Sequence, residues 1–164
     1  MKAFSIDLTR SIALRYLKGY SKVELYRLAE EFLASYLCGR EITYAHDLLQ
    51  QAKTDGEELI MMSASVDFIV ETVAARLEIK NIHATQLEYK NGICTGVILR
   101  DLLGRKNQLL MDPEKFSQNG IIITDNLSDA NLVQMAAEAY IIAKPAYAGF
   151  WKQFKTVKEI HIHE

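Results

Sequence analysis

The segment Gly120–Asp129, Gly-Ile-Ile-Ile-Thr-Asp-Asn-Leu-Ser-Asp, constrains the fold of this chain more than any other. Three consecutive isoleucines are too few for a helix face. They have the character of a strand buried on both faces of a parallel sheet, and the polar run after them is a turn into a helix predicted over 131–138. A second unit of the same kind precedes it. Leu59-Ile-Met-Met62 is a short apolar run, Ser63-Ala-Ser65 reads as a turn, and Val66, Ile69, Val70, Val73, Ala74 and Leu77 give the next helix an apolar stripe. A third strand, Ala139–Ala143, is stopped by Lys144-Pro145. Strands that alternate with helices imply an open α/β sheet with its ligand site at the carboxyl ends of the strands.

Other stretches complete the pattern. Ser21-Lys-Val-Glu24 is a capping box, followed by Leu25, Leu28, Ala29, Phe32, Leu33 and Tyr36 at helical spacing, with Gly39 to close the helix. Residues 10–18 and 44–53 also read as helices. This makes 1–56 a mostly helical segment and 57–164 the α/β core. Asn91-Gly92, between two alternating stretches, predicts a β-hairpin. With 164 residues, 49% of them hydrophobic, the chain can build one core or a core with a small appendage.

The formal net charge of -2 supplies no bulk attraction for nucleic acid or an anionic membrane, so a small solute or another protein suits the surface better. No segment is apolar for the length of a bilayer crossing, and Met1–Asp7 lacks a signal-peptide core. A cytoplasmic location is therefore expected. Cys38 and Cys94 are far apart in sequence and read as reduced thiols. His161 and His163 would share a face of a terminal strand, but lack a third ligand. Phe150, Trp151 and Phe154 read as core or cap-facing aromatics.

Chemistry-bearing residues gather at the strand ends. Asp125 and Asp129, four apart across the turn, can present hard carboxylate oxygens to one Mg²⁺. Ser63 follows the other apolar run, where helix amides converge on an anion. Lys106, in Gly104-Arg-Lys106, can supply charge to a phosphoryl group. Each has a plainer reading: Ser63 or Ser65 as a helix cap, Lys106 as a surface lysine, and the two aspartates as turn and first-turn residues.

Taken in order, these stretches resemble the haloacid dehalogenase superfamily, in particular its phosphoserine-phosphatase-like branch with a helical cap. Leu59–Ser65 is similar to the second family motif, Leu87–Gly96 to the hairpin of that branch, Gly104–Leu109 to the third motif and Ile122–Leu132 to the fourth. The resemblance spans residues 10–150. It implies a Rossmann-like core with a mainly parallel sheet, a hairpin and an N-terminal cap remnant. It also implies a Mg²⁺-dependent phosphomonoester hydrolase acting on a small phosphorylated metabolite, with Ser63 and Lys106 on phosphate and Asp125 and Asp129 on metal. A homo-oligomer is compatible with it.

The first family motif, Asp-x-Asp, occurs nowhere in the sequence. The nearest candidate nucleophile is Asp7 in Phe4-Ser-Ile-Asp-Leu-Thr9, although residues 10–32 resemble cap helices that come well after that motif in relatives. Three readings stay open: a phosphatase using Asp7, a non-catalytic binding or interaction protein on the same fold, and an N-terminally shortened phosphatase.

Overall fold

The computed structural model describes Arg10 and residues 12–163. These divide into two compact units. One holds the described residues up to Glu41 together with Glu57–Leu103; the other holds Ile42–Gly56 and the chain from Gly104 onward.

In the first unit, residues 12–15 are helical and lead through a turn to Ser21. Helix α1, Lys22–Phe32, starts at the predicted capping box: the Glu24 amide donates to Ser21 Oγ at 3.2 Å, and the Ser21 amide donates to Glu24 Oε2 at 2.7 Å. The helix loosens into a π-helical turn over Leu33–Leu37, and Gly39 then takes φ 77°. Strand β1, Ile60–Val66, runs directly into helix α3, Asp67–Arg76 (helix α2, Thr43–Thr54, belongs to the other unit). Strands β2, Asn81–Lys90, and β3, Ile93–Arg100, form the hairpin. At its tip Asn91 and Gly92 have φ of 52° and 77°, as a tight hairpin turn requires.

The sheet order is β1-β2-β3, with β1 parallel to β2 and β2 antiparallel to β3. The inward face of the hairpin contributes Leu87 and Cys94 to a core with Leu14, Leu25, Ala29, Val66 and Phe68. Gly96 makes this packing feasible: a Cβ there would lie 3.1 Å from Arg15 Cα and 3.2 Å from the Leu14 carbonyl.

The second unit contains α2, Thr43–Thr54; α4, Pro113–Asn119; β4, Ile121–Thr124; α5, Ala130–Met135; β5, Glu138–Ala143; α6, Pro145–Trp151; and β6, Val157–Ile162. Its three strands are parallel in the order β4-β5-β6. Trp151, fully buried, packs with Val133, Ala139, Ile141 and Ala143. Truncating such a residue to Ala costs about 3–5 kcal/mol. Pro145, expected to stop β5, does so by opening α6, where its fixed φ suits the first turn and its missing amide is not needed.

The expected α/β class with parallel strands is what the chain adopts. Two local expectations are corrected. The Ser63–Ser65 stretch is not a turn after the strand but part of β1, and neither serine caps α3, whose cap residue is Val66 without a side-chain bond. Nor are β1 and β4, the two strands expected to be so, buried on both faces. Ile60 is 45% exposed and Ile121 55%, because among the described residues β1 and β4 are edge strands of their sheets.

Candidate functional site

The acidic loop after β4 is a built structure. Thr124, the last strand residue, is buried, and its hydroxyl accepts from the Asn126 amide at 3.1 Å while donating to Asp129 Oδ2 at 2.8 Å. Asn126 Oδ1 accepts from the Ser128 amide at 3.0 Å, tightening the single 3₁₀ turn Leu127–Asp129 that leads into α5. Such local side-chain-to-backbone bonds let a short polar loop leave a strand without orphaned amides. Asp129 is 5% exposed, and Lys106 Nζ lies 2.7 Å from its Oδ2.

Lys106 opens a 3₁₀ turn, Lys106–Leu109, and its side chain is itself largely buried. Taking two charges out of water this far requires close pairing, and the short contact together with the Thr124 hydroxyl supplies it. Gly104, Asn107, Ser128 and Asn131 line a small polar depression around the pair.

Lys106 and Asp129, assigned from opposite ends of the sequence pattern, are therefore brought into direct contact. Asp125 stands exposed at the start of the same loop. Lys106 is thus not the solvated lysine of its plainer reading. Among the described residues no group of three or more His, Cys, Asp or Glu side chains gathers as a metal cage. Ser63 lies in the other unit, half-buried in β1, with its Oγ accepting from the Ser65 amide at 3.1 Å. Asp7 lies outside the described residues. The ring of His161 stacks on Tyr44 at 4.5 Å and 5°. Phe150, Trp151 and Phe154 contact one another edge-on or tilted at the second unit's core.

Sequence reasoning assigned no role to Thr124, Arg10, Thr85 or Asp101. Thr124 carried a local signal, a hydroxyl at the strand end two residues before Asn126. The others carried none: Arg10 Nη1 donates to both oxygens of Asp101 at 2.6 and 2.8 Å, across 91 residues of chain. Burial pushes the Asp101 carboxyl up, but the Arg10 and Leu103 hydrogen bonds and the Arg10 charge outweigh it and hold the group below the usual carboxylate range.

Comparison with known proteins bears on descent and fold. The family model described as haloacid dehalogenase-like hydrolase matches residues 3–132. A histidinol-phosphatase of Neisseria meningitidis serogroup C (strain 8013) is 28% identical over 143 residues, covering 81% of this chain and 64% of its own length. The chain thus spans somewhat under two thirds of that relative. Among solved structures, a protein of unknown function from Bordetella pertussis Tohama I superposes with a TM-score of 0.76 at 18% identity, over 94% of this chain and 73% of the other. A probable phosphoserine phosphatase from Vibrio cholerae gives 0.64 at 16% identity, over 90% and 45%. At such identities the structures speak for the fold, and the family model for descent: the chain belongs to the haloacid dehalogenase-like hydrolases.

Proposed function

We propose that this chain carries the phosphate- and metal-binding machinery of a Mg²⁺-dependent phosphomonoester hydrolase for a small phosphorylated metabolite, and that by itself it turns such esters over little or not at all. Residues 57–164 are the core and 1–56 the cap-like segment of that hydrolase. The observation that carries the reading is the buried Lys106–Asp129–Thr124 set at the end of β4. A largely buried cation beside a carboxylate loop suits an incoming dianion and its counter-ion.

The donor set fits Mg²⁺, which keeps several waters and needs only one or two protein carboxylates besides phosphate oxygens. Asp125, exposed and free to turn, and Asp129 are those carboxylates. The metal supplies charge neutralisation at the phosphoryl oxygens. Lys106 adds fixed positive charge; for Ser63, in the other unit, the reading as a phosphate ligand rests on the sequence resemblance alone. The covalent step of such enzymes needs a carboxylate nucleophile. Asp7 is the candidate this sequence offers.

Two measurements test this together. Titration calorimetry with inorganic phosphate should detect binding that depends on Mg²⁺ and is lost in Asp125→Asn and in Lys106→Gln. Hydrolysis of 4-nitrophenyl phosphate should be at or near background, with any residual rate abolished by Asp7→Asn. Phosphate binding that ignores Mg²⁺ and both substitutions would remove the assignment, and a turnover rate unaffected by Asp7→Asn would remove Asp7.

A further inference from the structure

Strand β1 breaks register where its serines lie. Met62 is opposite His83 and Val66 opposite Thr85, so four residues of β1 advance against two of β2. The Ser63–Ser65 stretch therefore bulges from the ladder, and its backbone groups need partners elsewhere. The Ala64 carbonyl, at the middle of the bulge, has two. Arg10 Nη2 donates to it at 2.5 Å and Thr85 Oγ1 at 3.0 Å.

The supporting groups close on themselves. Arg10 Nη2 also reaches Thr85 Oγ1 at 2.8 Å, while Nη1 is held by both Asp101 oxygens. Thr85 is fully buried. Its oxygen accepts from Arg10 and from the Leu102 amide at 3.2 Å, and its single proton is shared between Ala64 O and Asp101 Oδ1, at 3.2 Å. Asp101 accepts in addition from the Leu103 amide at 3.0 Å. Only a planar fork with two separated nitrogens can serve the bulge carbonyl and the carboxylate at once.

We infer that Arg10 is a positioning residue: clasped by Asp101 and Thr85, it fixes the β1 bulge and thereby the direction in which Ser63 presents its hydroxyl to a phosphoryl group. This rests on the reading of Ser63 as a phosphate ligand. A merely structural staple would lower the melting temperature when removed, but would leave phosphate affinity unchanged well below it. A positioning residue moves affinity even where the fold is intact, because small displacements of a ligand group cost disproportionately.

The test uses the whole chain, inorganic phosphate with Mg²⁺, and the ¹⁵N-amide signals of Ser63, Ala64 and Ser65. Arg10→Lys keeps the charge and loses the fork. It should shift all three signals and weaken phosphate binding about tenfold while the protein stays folded. Arg10→Met should do the same more strongly; if it fails to fold, the lysine variant decides. Folded variants with unchanged amide signals and unchanged affinity would overturn the inference. Wild type and variants that all fail to bind phosphate would sink the phosphate reading itself, recognisable because the failure is common to every protein tested.

Discussion

Among the described residues each unit buries one carboxylate at a helix start, and the two are handled in opposite ways. Asp129, 5% exposed, is met by a lysine at 2.7 Å and a threonine hydroxyl at 2.8 Å. Asp67, 9% exposed, has no such cation among the described residues. Its oxygens accept from the amides of Phe68 at 2.9 Å and Leu87 at 3.2 Å, with Tyr89 Oη at 3.4 Å. Burial raises its carboxyl above the usual range, the two amide bonds oppose that, and the neighbouring Glu71 charge adds to it. Backbone amides at a helix start can hold a carboxylate in place structurally. A side-chain cation beside a carboxylate loop can also exchange partners when a dianion arrives. The difference separates a carboxylate that ties α3 to the hairpin from one paired with a side-chain cation, the pair on which the proposed function rests.

The largest break in that comparison should come from Lys106→Met. With its partner gone, Asp129 would keep a buried charge and one hydroxyl bond, and the loss should be about 3–5 kcal/mol in urea denaturation. Replacing both partners, Lys106→Met with Asp129→Leu, should recover part of it, since no charge stays buried unpaired while the Thr124 hydroxyl loses its acceptor. A single-substitution cost no greater than that of a surface lysine would mean the pair contributes little.

Asp67→Ala should cost less, about 1–3 kcal/mol, because it leaves the Phe68 and Leu87 amides buried without their acceptor. Asp67→Asn keeps an acceptor oxygen for one of them and should lose only part of that amount. Amide hydrogen exchange at Leu87 should separate the two, with protection lost in the alanine variant and largely retained in the asparagine one. Equal loss in both would assign the stabilisation to charge and not to hydrogen bonding.

What was legible in the sequence follows the reach of each interaction. The capping box at Ser21 and Glu24 and the Asn91-Gly92 turn are satisfied within four residues of chain, so spacing alone disclosed them. The acidic loop was legible as a loop for the same reason. Its buried salt bridge was not, because Lys106 and Asp129 are 23 residues apart and nothing local separates a buried lysine from a solvated one. Ser63–Ser65 was misread as a turn for a related reason. What pins the bulge is a guanidinium 54 residues earlier and a threonine on the neighbouring strand. The β1 and β4 runs looked like buried strands because isoleucine content reports apolar character, whereas burial depends on how many neighbours a strand acquires.

The smallest expected effect is a difference in sign between two carboxylates of the same unit. The Asp67 carboxyl is raised, so between the ordinary value of 3.8 and its higher folded value the native state holds a proton that the unfolded chain has lost. Its stabilising contribution is full below 3.8 and is lost as pH rises through the folded value. Asp101 is lowered, so its contribution is present above 3.8 and is lost as pH falls through the depressed folded value. Urea midpoints measured between about pH 3 and pH 6 should therefore show opposite changes in the two neutralised variants. Asp67→Asn should remove a decline on the higher-pH side, and Asp101→Asn should remove a rise on the acid side. Matching slopes in both variants would mean that Arg10 does not distinguish the two carboxylates, and the cation that sets Asp101 apart from Asp67 would lose its energetic role.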